Sequence, residues 1–215
     1  VRPVPGRQPL GREFAVRHQR QRIIAALAAE ISERDYGTVT VADIVKRAGV
    51  SSTTFYENFA GKESCFLEAQ KFAISSALAR VVEAAGERGK WPEQVVAGLA
   101  AFLRFVAEEP ALARTCVVDA VAAGPLAAEC YQEALQPFVS LLKLGRTVSL
   151  FGEELPETIE EALVGGIFWI VYQRLTRCPV EDVEQLLSEL VEFALTPYLG
   201  AEAARELASS EKLAN

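Results

Sequence analysis

Apolar residues recur at helical spacing through most of the chain, and β-branched residues never alternate with polar ones for long, so the pattern predicts helices and no convincing strand. The opening VRPVPGRQPLG holds three prolines and two glycines and predicts a flexible arm over 1–11. Ile24, Leu27, Ala28 and Ile31 mark a helix over 12–36, with Gly37 placed to close it in a left-handed conformation. Thr40-x-x-Asp43 has the form of a capping box, with Asp43 in the usual Glu position, and opens a short helix over 41–48 that stops at Gly49. Ser51 caps a second short helix ending near Phe59, AGKES turns the chain, and a long helix runs over 62–85. Further helices are expected over 93–108, 110–123, 126–150, 156–177 and 180–199, each fenced by Gly or Pro, with Pro137 bending or shifting the third. The expected fold is all-α, about nine helices, with a small N-terminal head on a larger bundle and a tail over 201–215.

Composition narrows the classes. The chain is 50% hydrophobic over 215 residues, enough to bury a sizeable core. The longest run without a charge, 162–173, is shorter than the roughly 18 apolar residues a spanning helix needs, so no membrane association is expected. No apolar segment follows the basic start, so no secretory signal is expected and the cytoplasm is the expected compartment. The four cysteines (Cys65, Cys116, Cys130, Cys178) form no C-x-x-C and read as reduced core thiols; with His18 the sole histidine, neither a metal site nor a cofactor is expected. No G-x-S-x-G, P-loop or G-x-G-x-x-G is present, which argues against an enzyme.

Charge is divided. Residues 1–62 carry a net +4 and residues 63–215 a net −11. Six arginines fall within 1–22 (Arg2, Arg7, Arg12, Arg17, Arg20, Arg22) against the single acid Glu13. Such a basic end on an acidic body points to nucleic acid, a solvated basic tail being the bland alternative.

The unit over 38–59 has the parts of a helix-turn-helix. Ile44, Val45 and Ala48 can face inward, Gly49 supplies the turn, and Val50 fills the space beneath it. Phe55 and Phe59 share one face and can pack on Ile24, Leu27 and Ile31, leaving Ser52, Thr53 and Tyr56 outward. Ser51 and Thr54 lie at the helix start, where free backbone N–H groups favour phosphate.

The stretch TVADIVKRAGVSSTTFYENFAGKESCFLEA resembles the DNA-binding head of TetR-type (tetracycline-repressor-like) bacterial regulators, over about 12–67. The resemblance implies a homodimer whose second short helices enter successive major grooves of a palindromic operator in double-stranded DNA. It implies phosphate contacts from Thr40, Tyr56 and Lys62, and a groove-facing helix start at Ser51, Ser52, Thr53 and Thr54. Arg17 and its neighbours are expected to supply salt-sensitive binding, with the arm entering a minor groove. Two positions depart from the pattern: Thr53 stands where glycine is common, and Glu57 where neutral or basic residues are frequent. Glu57 can accept from a cytosine amine, repel phosphate, or face solvent or an internal cation.

Beyond the head the resemblance is one of layout and length. Leu163, Gly166, Ile167 and Ile170, then Leu187, Leu190, Val191 and Ala194, form apolar stripes that by spacing alone are core helices; the resemblance implies that they are the dimer interface. It also implies a small hydrophobic effector in the body, for which Phe102, Phe105, Cys116, Asp119, Tyr131, Trp169 and Tyr172 are the candidates. The alternative is that these are core residues and that Asp119 pairs with Arg114. The expected domains are an arm (1–11), a DNA-binding head (12–61) and a ligand-binding and dimerisation body (62–200). The expected function is a repressor released by that effector, the helix from Lys62 acting as lever; a ligand-independent architectural or cell-division factor is the alternative.

Overall fold

Capping and burial divide the chain into ten α-helices among the residues described by its computed structural model, 9–86, 88–117, 125–177 and 180–212. In the head, α1 (Pro9–Glu33) lies across α2 (Val41–Ala48) and α3 (Ser52–Asn58). The body holds α4 (Lys62–Gly86), α5 (Trp91–Glu108), α6 (Pro110–Val117), α7 (Pro125–Lys143), α8 (Ile159–Arg177), α9 (Leu187–Leu199) and α10 (Ala201–Lys212). No strand occurs among the described residues, so the all-α expectation holds.

The apolar residues sort into two cores. Ile23, Leu27 and Ile31 of α1 meet Ile44, Phe55 and Phe59, with Phe66 of α4 beneath them. The larger core joins α4, α5, α7, α8 and α9. Leu112 of α6 packs against both, so α6 bridges head and body beside α4.

Local chemistry sets the head. Thr40 and Asp43 form the full capping box: Thr40 Oγ1 accepts from the Asp43 N–H and Asp43 Oδ2 accepts from the Thr40 N–H at 2.9 Å. Gly49 takes the left-handed conformation at φ 63°, and Ser51 Oγ accepts from the Thr54 N–H at 3.0 Å.

Several boundaries differ from the sequence reading. Pro9–Gly11 are helical, since proline at a first helical position costs no hydrogen bond. The first helix ends at Glu33, and Gly37 lies in a 3-10 turn, Tyr36–Thr38, without a positive φ. That turn is held by Lys62, whose ammonium donates to the carbonyls of Tyr36 and of Val39 just after it. The helix expected over 126–150 leaves α geometry at Lys143, because Gly145 packs under the Trp91 ring: a Cβ there would lie 2.3 Å from it. The expected tail is α10, whose Ala204 and Ala208, four apart, are buried in the body core. The first seven residues of the expected 180–199 helix, Val180–Leu186, are 3-10.

Candidate functional site

On α3 the two aromatic rings turn inward and the short polar side chains outward. Phe55 and Phe59 are buried, while Ser51, Ser52, Thr53 and Tyr56 are exposed, Tyr56 at 59%; Thr54 is half-buried. Thr40 is exposed at the head of α2, and Arg17 is exposed on α1. Each of these positions is accessible, and the two helix starts are rich in hydroxyls. Glu57 is exposed and makes no ion pair among the described residues.

The cations of the head are less free than their number suggests. Lys62 Nζ donates to the carbonyls of Tyr36 and Val39, both at 2.8 Å, and lies 4.3 Å over the Tyr36 ring. Burial lowers its pKa. The sequence reading offered Lys62 to phosphate; the fold spends two of its three donors on the turn between α1 and α2. Arg47 Nε donates to Glu30 Oε1 at 2.6 Å and its Nη2 to Glu33 Oε2 at 2.6 Å, while Arg34 also pairs with Glu30. Hydrogen bonds first from Arg47 and then from Arg34 hold the buried Glu30 carboxyl below its ordinary pKa. This cluster staples α1 to α2. Arg17 and Lys46 are exposed cations with no ion pair among the described residues; Lys46 is a DNA-contact candidate that motif matching did not pick out.

The body holds a partly open apolar cavity of about 90 Å³. Val81 and Ala85 of α4, Trp91, Gln94 and Gly98 of α5, Leu141 and Leu142 of α7, and Val164, Ile167 and Phe168 of α8 line it together with Phe102. No lining residue is ionisable, and the Trp91 N–H is already committed to the Leu141 carbonyl at 3.2 Å. A charge buried there would lack a partner and would cost several kcal/mol. The space is below the roughly 300–1,000 Å³ of a drug-sized ligand site.

Of the candidate ligand residues, Phe102 alone lines this cavity. Phe105 borders a packing gap of about 10 Å³ behind it. Tyr131 stands one layer out, edge-on to Phe168 at 6.1 Å. Trp169 and Tyr172 do not reach it: they stack on each other at 5.2 Å, and Trp169 is 60% exposed. The Cys116 side chain and all of Asp119 lie outside the described residues. Phe168 and Trp169 are adjacent, so helical geometry sends one inward and the other outward, a choice the aromatic content could not make.

The dimer assignments need a larger correction. Leu190, Val191 and Ala194 have no exposed area in the single chain, and Leu163, Ile167 and Leu187 are also buried. They join α8 and α9 to their own core and keep little surface for a partner, Leu163 alone of the six reaching the floor of an open groove between the two helices. Gly166 is covered by Phe193, whose ring would lie 2.7 Å from a Cβ there, and Ile170 is half-buried. The exposed apolar face of α8 and α9 is a different one: Ala162, Gly165, Trp169 and Phe193.

Behind the cavity wall lies a polar strap that has no local sequence signature. Trp91 meets Tyr198 of α9 edge-on at 4.8 Å, and the Tyr198 hydroxyl donates to Glu160 Oε1 of α8 at 3.0 Å. Arg146 grips Glu160 through Nε at 2.7 Å and Nη2 at 3.0 Å, and donates to the carbonyls of Gly152, Leu155 and Pro156. Ser149 Oγ donates to the Tyr198 carbonyl at 2.6 Å.

Among the described residues no helix is long and apolar enough to cross a membrane, and no cluster of side chains could hold a metal ion.

Residues 23–69 match the family model of bacterial regulatory proteins of the tetR family. No curated protein matches the chain. Solved structures share the fold. The transcriptional regulator FadR from Bacillus subtilis, in complex with stearoyl-CoA, is 20% identical, over 82% of this chain and 98% of that one, with a TM-score of 0.67. TylP, a tetR regulator from Streptomyces fradiae, is 22% identical over 91% and 93%, with a TM-score of 0.64. A tetR-family regulatory protein from Rhodococcus RHA1 is 21% identical over 84% and 97%, with a TM-score of 0.66.

Proposed function

We propose that the chain, whose residues 23–69 match the family model of tetR bacterial regulatory proteins, is a homodimeric repressor that binds a palindromic operator and is released by a small, uncharged, apolar effector. The observation that carries the reading is the division of α3, with Phe55 and Phe59 locked into the head while Ser52, Thr53 and Tyr56 face outward beside the capped starts of α2 and α3. In this reading Ser51, Ser52, Thr53 and Thr54 meet the major groove, and Thr40, Tyr56 and Arg17 meet phosphates. Long base-reading side chains are scarce there, so affinity leans on the backbone and on the arm over 1–11. Two heads related by a two-fold axis read half-sites separated by whole helical turns of about 10–10.5 bp.

The dimer forms through the outer face of α8 and α9, around Ala162, Gly165, Trp169 and Phe193, all exposed in the single chain. The effector occupies the cavity bordered by Phe102 and Phe168. A ligand can shift an equilibrium only by its difference in affinity for two states. An effector that outgrows this cavity either extends through its open side or pushes α4, α5, α7 or α8 outward. The route to the head is short: α4 runs from cavity wall to head, and Leu112 of α6 touches both cores.

Selection from random duplexes, followed by titration of the bound complex with uncharged apolar compounds, tests this reading. The wild-type chain should enrich a palindrome, and at least one compound should weaken its binding. Val164→Phe, which puts a ring into the cavity, should keep operator affinity and lose compound binding by about tenfold or more. No enriched duplex would remove the DNA reading. Operator affinity that no apolar compound changes would favour the ligand-independent factor, and an undiminished response in Val164→Phe would move the effector elsewhere.

A further inference from the structure

Two arginines that charge alone would assign to DNA are turned inward onto the helix-turn-helix itself. Arg20 Nη1 donates to the carbonyl of Asn58, the last residue of α3, at 2.8 Å. Its Nη2 pairs with Glu68 Oε2 on α4 at 3.0 Å, and the guanidinium lies 4.5 Å over the Phe59 ring. Arg22 Nη2 donates to the carbonyls of Ala48 and Gly49, where α2 ends. Both side chains leave α1, and each takes the carbonyl end of one short helix. Those ends carry unpaired C=O groups and the negative pole of the helix dipole, which a guanidinium satisfies at once.

The placement matters because α3 has seven residues, too few to be a stable helix alone. Ser51 fixes its start. At its end Asn58 Nδ2 donates to the Thr54 carbonyl at 2.8 Å and Phe59 continues in an extended conformation, which leaves the Asn58 carbonyl to Arg20, held against α4. We infer that Arg20 and Arg22 are positioning residues for the recognition helix and not phosphate ligands: together they fix the turn and the far end of α3, so that Ser52, Thr53 and Tyr56 reach DNA already ordered. The inference rests on the DNA-binding reading. It also removes two of the six arginines of 1–22 from the salt-sensitive set that the sequence suggested.

Glu68 separates the two roles, because they require effects of opposite sign. If Arg20 positions α3, Glu68→Gln loosens the clamp and weakens binding, although it removes a negative charge from the head. If Arg20 serves phosphate, the same change frees it and strengthens binding. The experiment measures affinity and its salt dependence on a duplex selected with the wild-type chain and on a scrambled duplex. Glu68→Gln should bind the selected duplex about twofold to fivefold more weakly, with the scrambled duplex unchanged. Arg20→Gln should lose about tenfold on the selected duplex, since only the ordered fraction of α3 binds, and should keep the wild-type salt slope. Tighter binding by Glu68→Gln, or a slope reduced by about one per head in Arg20→Gln, overturns the inference while leaving the DNA reading intact. If Arg20→Gln does not fold by circular dichroism, Glu68→Gln decides alone, because its side chain is on the surface, 40% exposed. A wild-type chain with no affinity for either duplex overturns both.

Discussion

Leu190→Glu should give no cooperatively folded protein, whereas Trp169→Glu should give a folded monomer. Both residues belong to the helix pair α8 and α9, and both are large and apolar, but Leu190 has no exposed area and Trp169 is 60% exposed. Truncating a buried leucine costs about 2–5 kcal/mol. Burying an unpaired carboxylate in its place adds several kcal/mol more. Together these approach the whole stability of an ordinary domain, about 5–15 kcal/mol. Leu190 lies wholly inside the apolar core of the body, so the new carboxylate is packed against hydrocarbon and out of reach of water. At Trp169 the carboxylate stays in water and the fold loses only the stack on Tyr172. What it loses instead is the apolar face proposed to meet a second copy, and two like charges then face each other across the two-fold axis. Thermal unfolding by circular dichroism and light scattering on a size-exclusion column distinguish the variants. A folded, monomeric Leu190→Glu would mean that α9 presents its other face to the partner. A dimeric Trp169→Glu would remove the proposed interface.

The contrast between these two residues shows what the sequence could supply. The head was legible because its determinants are local. Thr40 with Asp43, Gly49 and Ser51 each act within three residues, and Phe55 with Phe59 lie one turn apart. A cap, a left-handed turn and a four-residue spacing have one physical meaning wherever they occur. The body was legible as helices but not as surfaces. An apolar stripe says that a face is buried and not what buries it, so Leu190 and Val191 read equally well as core and as interface. The cations were ambiguous for a related reason. A long basic side chain suits a phosphate or a carbonyl, and the carbonyls chosen by Lys62 and Arg20 lie 26 and 38 residues away in sequence. The helical tail was missed because the anchors of α10 are two alanines, Ala204 and Ala208, in a segment otherwise rich in charge.

The same distance in sequence hid the strap behind the cavity, where removal of one side chain has the second large effect. Arg146→Ala should destabilise the fold by about 3–5 kcal/mol at pH 7, the usual penalty for leaving a buried carboxylate without its partner. Glu160 is buried and receives Arg146 twice and the Tyr198 hydroxyl once. Burial pushes its pKa up, but the hydrogen bonds from Arg146, from the backbone and from Tyr198 outweigh burial and hold it below the ordinary value. Tyr198 is pushed well above its own ordinary value, by burial first and by the Glu160 carboxylate second, so its hydroxyl remains the donor. The sign of the pH dependence follows. With a depressed folded pKa, Glu160 contributes stability that is fully present above the unfolded carboxylate value of about 4.3 and is lost as pH falls through the folded pKa. Without Arg146 the balance reverses: burial prevails, the folded pKa rises above the unfolded one, and protonation relieves the variant as pH falls. The gap between wild type and Arg146→Ala should therefore narrow from pH 7 to pH 4, whereas Glu160→Gln, which has no carboxyl to titrate there, should show a shallower acid limb than the wild type. Urea unfolding at intervals from pH 7 to pH 4 measures the first, and its continuation below pH 4, where the wild-type carboxylate titrates, measures the second. A gap that stays constant or widens in acid would mean that Glu160 is not the charge that Arg146 holds, and that the strap linking the Trp91 wall to α8 and α9 stands on the carbonyls of Gly152, Leu155 and Pro156 alone.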